Sequence, residues 1–152
     1  MLNNDYKDIL LALSERKARF LLVGAYAMAA HGYPRATMDI DIWVKSDYEN
    51  TVLILQALED FGAFLGELKP EDFQKDEMVF QIGVAPRRID ILTSVDGLSF
   101  DDAFARSDKI EIEGVPIQVL SVSDLIKNKR STGRTKDLAD VESLTMLSDM
   151  KR

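Results

Sequence analysis

The chain of 152 residues contains no cysteine. Catalytic thiols, iron–sulfur clusters, Cys-based zinc sites and a disulfide framework are therefore all excluded. One histidine, His31, leaves no material for a His-rich metal centre or a metalloprotease helix. No apolar run approaches the ~20 residues that span a bilayer. The opening residues Met1-Leu2-Asn3-Asn4-Asp5 lack the basic and apolar segments of a signal peptide. A soluble, cytoplasmic protein without a membrane partner is expected. Cations are outnumbered, 19 Lys and Arg against 26 Asp and Glu, for a net charge of -7. That balance disfavours a general nucleic-acid coat, which depends on Lys and Arg neutralising phosphates. No repeat, low-complexity tract or linker interrupts the chain, and its length suits one domain.

What is present is a regular alternation of short patterned segments. Apolar positions Tyr6, Ile9, Leu10 and Leu13 share one helical face over 6–17. Phe20-Leu21-Leu22-Val23 is a buried-strand run closed by Gly24, and a small-residue helix follows over 25–30. His31-Gly32-Tyr33-Pro34 stops that helix, with His31 expected as a helix-end polar residue. A strand is expected over 38–44, a helix capped by Ser46 over 47–61, and strands over 78–84 and 87–92 joined at Ala85-Pro86. Then come a short helix over 100–106, a hairpin of 109–112 and 116–120 around Glu113-Gly114, and helices over 121–130 and 135–150. This order predicts a single α/β (α+β) domain with a mixed sheet flanked by helices, the last of them from about 121 to 150.

In Met38-Asp39-Ile40-Asp41-Ile42-Trp43-Val44, acids alternate with apolar residues. Two acids two apart on a strand project to the same side, while Ile40 and Ile42 face a core. Neighbouring carboxylates repel, and a divalent cation relieves the repulsion; hard oxygen ligands suit Mg²⁺ or Mn²⁺. Asp-x-Asp alone also describes a solvated strand face. Asp90, in Arg88-Ile89-Asp90-Ile91-Leu92, has the same apolar flanks. Alone it would serve as well in an ion pair with Arg87 or Arg88. Should its strand neighbour that of Asp39 and Asp41, the three acids suffice for a phosphoryl-transfer metal site.

Gly24-Ala25 joins a strand to a helix, a place where backbone N–H groups and the helix dipole favour an anion. Between 127 and 136 stand five cations, Lys127, Lys129, Arg130, Arg134 and Lys136. They suit a lid over a triphosphate or a dock for a nucleic-acid acceptor, and equally a solvated interhelix loop. Arg35 and Thr37, just before the acids, are candidate phosphate or base contacts. Trp43 reads as core, and Asp137 and Asp140 as solvating or capping the last helix.

Val23-Gly24-Ala25, thirteen residues, then Asp39-Ile40-Asp41-Ile42, resembles the signature of the DNA polymerase β-like nucleotidyltransferase superfamily. Leu22-Val23-Gly24-Ala25-Tyr26-Ala27 and His31-Gly32-Tyr33-Pro34-Arg35-Ala36-Thr37 are similar to its small stand-alone members. Those are the minimal nucleotidyltransferases and the abortive-infection type of bacterial toxin–antitoxin systems. The resemblance implies Mg²⁺-dependent transfer of a nucleoside monophosphate from a nucleoside triphosphate to an acceptor hydroxyl, with Asp39, Asp41 and Asp90 catalytic and metal-ligating. It also implies a nucleotide held by Gly24, Ala25, Arg35, Thr37, Lys127, Lys129 and Arg134. RNA, protein and small molecules stand open as acceptors. Ala25 departs from the family pattern, which has Gly or Ser there: the N–H is kept, but no hydroxyl is offered. A weakened enzyme acting as a nucleotide-binding module, or as a partner of a cognate toxin or antitoxin, is the alternative.

Overall fold

The computed structural model describes residues 2–33, 39–84, 87–133 and 135–150, leaving aside the side chains at 135–137, 147 and 150. Helix α1 (Asn4–Glu15) begins where the Asn3 side chain accepts the Tyr6 amide at 2.9 Å, which occupies one of the amides a helix start leaves unpaired. It buries Tyr6, Ile9, Leu10 and Leu13 and packs on α3 (Tyr48–Phe61). The α3 cap is Asp47, whose side chain accepts the Asn50 amide at 2.8 Å, not the expected Ser46. Asp47 stands immediately before the first helical residue, so its oxygen is the one in reach. The helix ends at Gly62, whose φ of 93° suits a residue without Cβ.

Between α1 and α3 run β1 (Phe20–Val23), α2 (Gly24–Ala30) and β2 (Ile40–Val44). After α3 come a 3₁₀ turn (Pro70–Gln74), β3 (Val79–Ile82), β4 (Ile89–Leu92), α4 (Phe100–Arg106), β5 (Asp108–Ile112), β6 (Val115–Val119), α5 (Val122–Thr132) and α6 (Thr135–Met150). The 3₁₀ turn has no counterpart among the expected elements; it forms at Pro70 and buries Phe73. The expected turn at Ala85-Pro86 lies outside the described residues.

One six-stranded sheet has the order β3-β4-β2-β1-β6-β5. β2 is antiparallel to β1 and parallel to β4, and β1 is parallel to β6. The inner strands β1, β2 and β4 are almost wholly buried, whereas β3 alternates. β6, though also inner, alternates, so burial on both faces is confined to the run β4-β2-β1 that carries the acids and the glycine turn. Trp43 is core as expected, edge-on to Phe100 at 5.2 Å. His31 caps the C-terminus of α2 and is buried, its Nε2 2.8 Å from the Leu120 carbonyl.

The strand directions bring the C-terminal end of β1 and the N-terminal ends of β2 and β4 to one end of the sheet. Gly24, Asp41 and Asp90 all lie there.

Candidate active site

Asp41 and Asp90 are each the second residue of their strands and stand directly side by side in the β2–β4 register. On its other side Asp41 pairs with Val23, the residue before Gly24. Gly24 has φ of 68°, and a Cβ built on it would overlap the Asp41 carboxylate. Two independent constraints therefore demand glycine, a left-handed backbone and a close approach. The N-terminus of α2 has no side-chain cap, so its first amides are not taken by a capping side chain.

Crowding sets the electrostatics. The Asp41 carboxyl is pushed up to about 7, first by burial, then by the charge of Asp90, a hydrogen bond with Asp90 and the charge of Asp39, with Arg88 opposing. Arg88 lies across the cluster. Its Nε is 2.7 Å and its Nη2 3.1 Å from the two Asp90 oxygens, and Nη2 is 3.4 Å from Asp39 Oδ2. The Arg88 amide donates to Asp39 Oδ1 at 2.9 Å. Tyr6, from α1, donates its hydroxyl to the Arg88 carbonyl at 3.2 Å and meets Tyr26 edge-on at 5.4 Å. Burial pushes the Tyr6 phenol up to about 12, with the charges of Tyr26 and Asp39 adding to it. Burial raises Tyr26 as well. Both phenols are close enough to Asp39 to feel its charge and stay protonated donors at neutral pH.

Of the expected site residues, the structure brings together Gly24, Asp39, Asp41 and Asp90, with Ala25 the next residue of α2. Asp39 directly precedes β2, although the strand was expected to include it. Arg35, Thr37 and Arg134 lie outside the described residues. Lys127 and Lys129 are placed elsewhere. The Lys127 carbonyl and the Ser131 side chain flank Gly97, and the Asn128 amide donates to the Asp96 carbonyl at 3.0 Å. That loop follows the C-terminal end of β4, the opposite end from Asp90. Lys129 is 3.4 Å from the buried Asp140 on α6, and both side chains are largely covered. Asp140 therefore joins two helices and neither solvates nor caps the last one.

Arg88, Tyr6 and Tyr26 were not among the expected site residues. For Arg88 a signal existed: it stands two before Asp90 on one strand, hence on the same face. Tyr26 stands two residues after Gly24, which was its signal; Tyr6 carried none, because it reaches Arg88 across 82 positions of sequence.

As the side chains stand, no three acidic or imidazole groups among the described residues surround one point as metal ligands would. Two carboxylates hydrogen-bond each other, and Arg88 spans the rest. The donor chemistry nonetheless fits a hard divalent cation. All donors are carboxylate oxygens, two are forced together at the cost of a raised pKa, and the glycine cradle keeps Cβ volume away from them.

Solved structures share this architecture. A lincosamide antibiotic adenylyltransferase, LnuA, bound to lincomycin, matches with a TM-score of 0.60 and 15% identity over 97% of this chain and 98% of its own. ANT(2")-Ia in complex with adenylyl-2"-tobramycin matches with a TM-score of 0.58 and 16% identity over 93% and 91%. A candidate nucleotidyltransferase of Thermotoga maritima matches with a TM-score of 0.54 and 17% identity over 99% and 94%. At these identities the likeness is one of fold: a nucleotidyltransferase-type single sheet with flanking helices. No curated protein matches the sequence. The chain belongs to the family described as nucleotidyltransferase of unknown function (DUF6036), whose model matches residues 2–151.

Proposed function

We propose that this protein transfers a nucleoside monophosphate from a nucleoside triphosphate to an acceptor hydroxyl, releasing pyrophosphate, with Mg²⁺ or Mn²⁺ held by Asp39, Asp41 and Asp90. The observation that carries the reading is the register pairing Asp41 with Asp90, beside a glycine that only its missing Cβ lets approach Asp41. When bound, the cation supplies charge neutralisation for the triphosphate and lowers the acceptor hydroxyl's pKa.

The remaining work falls to the chain itself. The amides of Gly24 and Ala25 donate to phosphate oxygens at the start of α2, where the missing Ala25 hydroxyl costs one contact but no N–H. Arg35 and Thr37, on the segment entering Asp39, complete the nucleotide side. Asp90 accepts the proton of the acceptor hydroxyl as its oxygen attacks the α-phosphorus. Tyr6 and Tyr26 wall the site on the side of Asp39. Two of the three solved neighbours support small molecules as the first acceptor class to assay, since one is a lincosamide antibiotic adenylyltransferase and another holds adenylyl-2"-tobramycin.

The test is transfer of label from α-³²P nucleoside triphosphates to a small-molecule panel, with the Asp39→Asn and Asp41→Asn variants as controls. Metal-dependent transfer lost in both variants, with folding intact, supports the reading. Wild-type turnover in both would overturn it.

A further inference from the structure

We propose that Arg88 is the resident counter-cation of the acidic cluster, holding Asp90 and Asp39 in the free protein and leaving them for the triphosphate when metal and nucleotide enter together. The inference rests on the metal-dependent reading above and deepens it.

The first observation is occupancy. Nε and Nη2 of Arg88 take one Asp90 oxygen each, at 2.7 and 3.1 Å, and one of these carboxylates also shares a hydrogen bond with Asp41. With both oxygens engaged, Asp90 would have to share them with a cation or give up the guanidinium, so the two cations compete for the same carboxylate. Asp39 is engaged twice, by the Arg88 amide and by Nη2.

The second observation separates the parts of Arg88 that are fixed from the part that can move. Its main chain is pinned at three points: the amide on Asp39, and the carbonyl accepting from both the Tyr6 hydroxyl at 3.2 Å and the Ile40 amide at 3.0 Å. Its side chain is 30% exposed, whereas that of Asp90 is only 10% exposed. The guanidinium thus has a route outward while its anchor stays in the strand. A planar fork that binds a carboxylate bidentately also matches two phosphate oxygens. The triphosphate therefore offers Arg88 an equivalent partner in the same cleft.

The third observation is a contrast within the molecule. Arg106 grips buried Asp124 with the same fork, both contacts at 3.1 Å. Asp102 adds only its charge from a distance, and Asp124 has no carboxylate beside it in the sheet register as Asp90 has Asp41. Arg88 alone among these forks faces a crowd of three carboxylates.

The experiment titrates Mn²⁺ alone, and then Mn²⁺ with ATP, into wild type, Arg88→Gln and Arg88→Lys, read by calorimetry and by the spin resonance of free Mn²⁺. Arg88→Gln is expected to bind Mn²⁺ alone on the order of tenfold more tightly than wild type, the scale of a charge-assisted fork. It should also lose most of the mutual enhancement between Mn²⁺ and ATP that wild type shows. Arg88→Lys, which keeps the charge without the fork, should fall between. Equal affinity for Mn²⁺ alone in wild type and Arg88→Gln would overturn the proposal while leaving the metal site standing. No Mn²⁺ binding by any of the three, with or without ATP, would overturn the metal reading and this inference together. A wild-type readout covers the case of a variant that does not fold. The Arg88 Nε–H resonance should be slowly exchanging in the free protein and shift on adding Mg²⁺ and ATP; a resonance indifferent to both would overturn the proposal.

Discussion

Two clusters of covered charge lie at opposite ends of the sheet and are built on opposite rules. At one end Asp39, Asp41 and Asp90 crowd around the Arg88 guanidinium, and Asp41 is raised to about 7 by burial and like charge. At the other, Lys129 pairs with Asp140 between α5 and α6. The second cluster is balanced and serves packing. The first holds like charges together, and under the proposed function a cation and a phosphate would relieve them. Acidic or basic residues in a sequence do not by themselves say which kind of cluster they will form. The neighbours supplied by the sheet and the helix pair decide that.

The contrast breaks most sharply at the acids. Asp41→Asn should lower nucleotidyl transfer by about 10³-fold or more, as expected when a metal-site carboxylate is lost, with no loss of fold by circular dichroism. Asp140→Ala acts on the other cluster and should do the reverse. It leaves Lys129 covered without this partner, a loss of about 3 kcal/mol in urea unfolding, while transfer per folded molecule stays within about twofold. A smaller effect is expected from Gly24→Ala, which strains a φ of 68° and drives a methyl into the Asp41 carboxylate. About 2 kcal/mol of stability and most triphosphate affinity should go together.

A pH series sharpens the same comparison. The folded pKa of Asp41 lies above its ordinary 3.8, so its protonated form contributes stability fully below about pH 4, and that contribution is lost as pH rises through about 7. Metal-free wild type should therefore weaken by on the order of 2 kcal/mol between about pH 5 and pH 8, a figure discounted for partial exposure. Asp41→Asn should stay flat, because it carries no proton to lose. The smallest effect belongs to Lys127→Ala, an exposed cation on α5. It should shift stability by less than about 0.5 kcal/mol and leave triphosphate binding unchanged.

How far the sequence reveals this arrangement depends on the range of the forces involved. The strand 20–23, the helix 100–106 and the final helix 135–150 are legible because local periodicity and breakers define them. The acids are legible because period-two alternation on a strand puts carboxylates on one face, and Gly24 because a strand-to-helix turn needs it. Arg88 follows from the same periodicity once Asp90 is trusted as a strand residue. The place of Tyr6 does not, since α1 reaches the site only through tertiary packing, on α3 and β6. The basic stretch is less legible for a related reason: its cations cluster in sequence, yet the α5–α6 packing turns Lys129 toward Asp140 and sets the Lys127 carbonyl beside Gly97. Charge density along a chain carries no direction until the helices have packed.

The central claim is that the Asp39, Asp41 and Asp90 cluster binds a divalent cation together with a nucleoside triphosphate. Calorimetric titration of the four triphosphates, with and without Mg²⁺, into wild type and the Asp39→Asn/Asp41→Asn double variant tests it most directly. The account predicts binding that requires Mg²⁺ and vanishes in the variant. Binding that is indifferent to Mg²⁺ and survives both substitutions, or no binding by wild type at millimolar ligand, would contradict it.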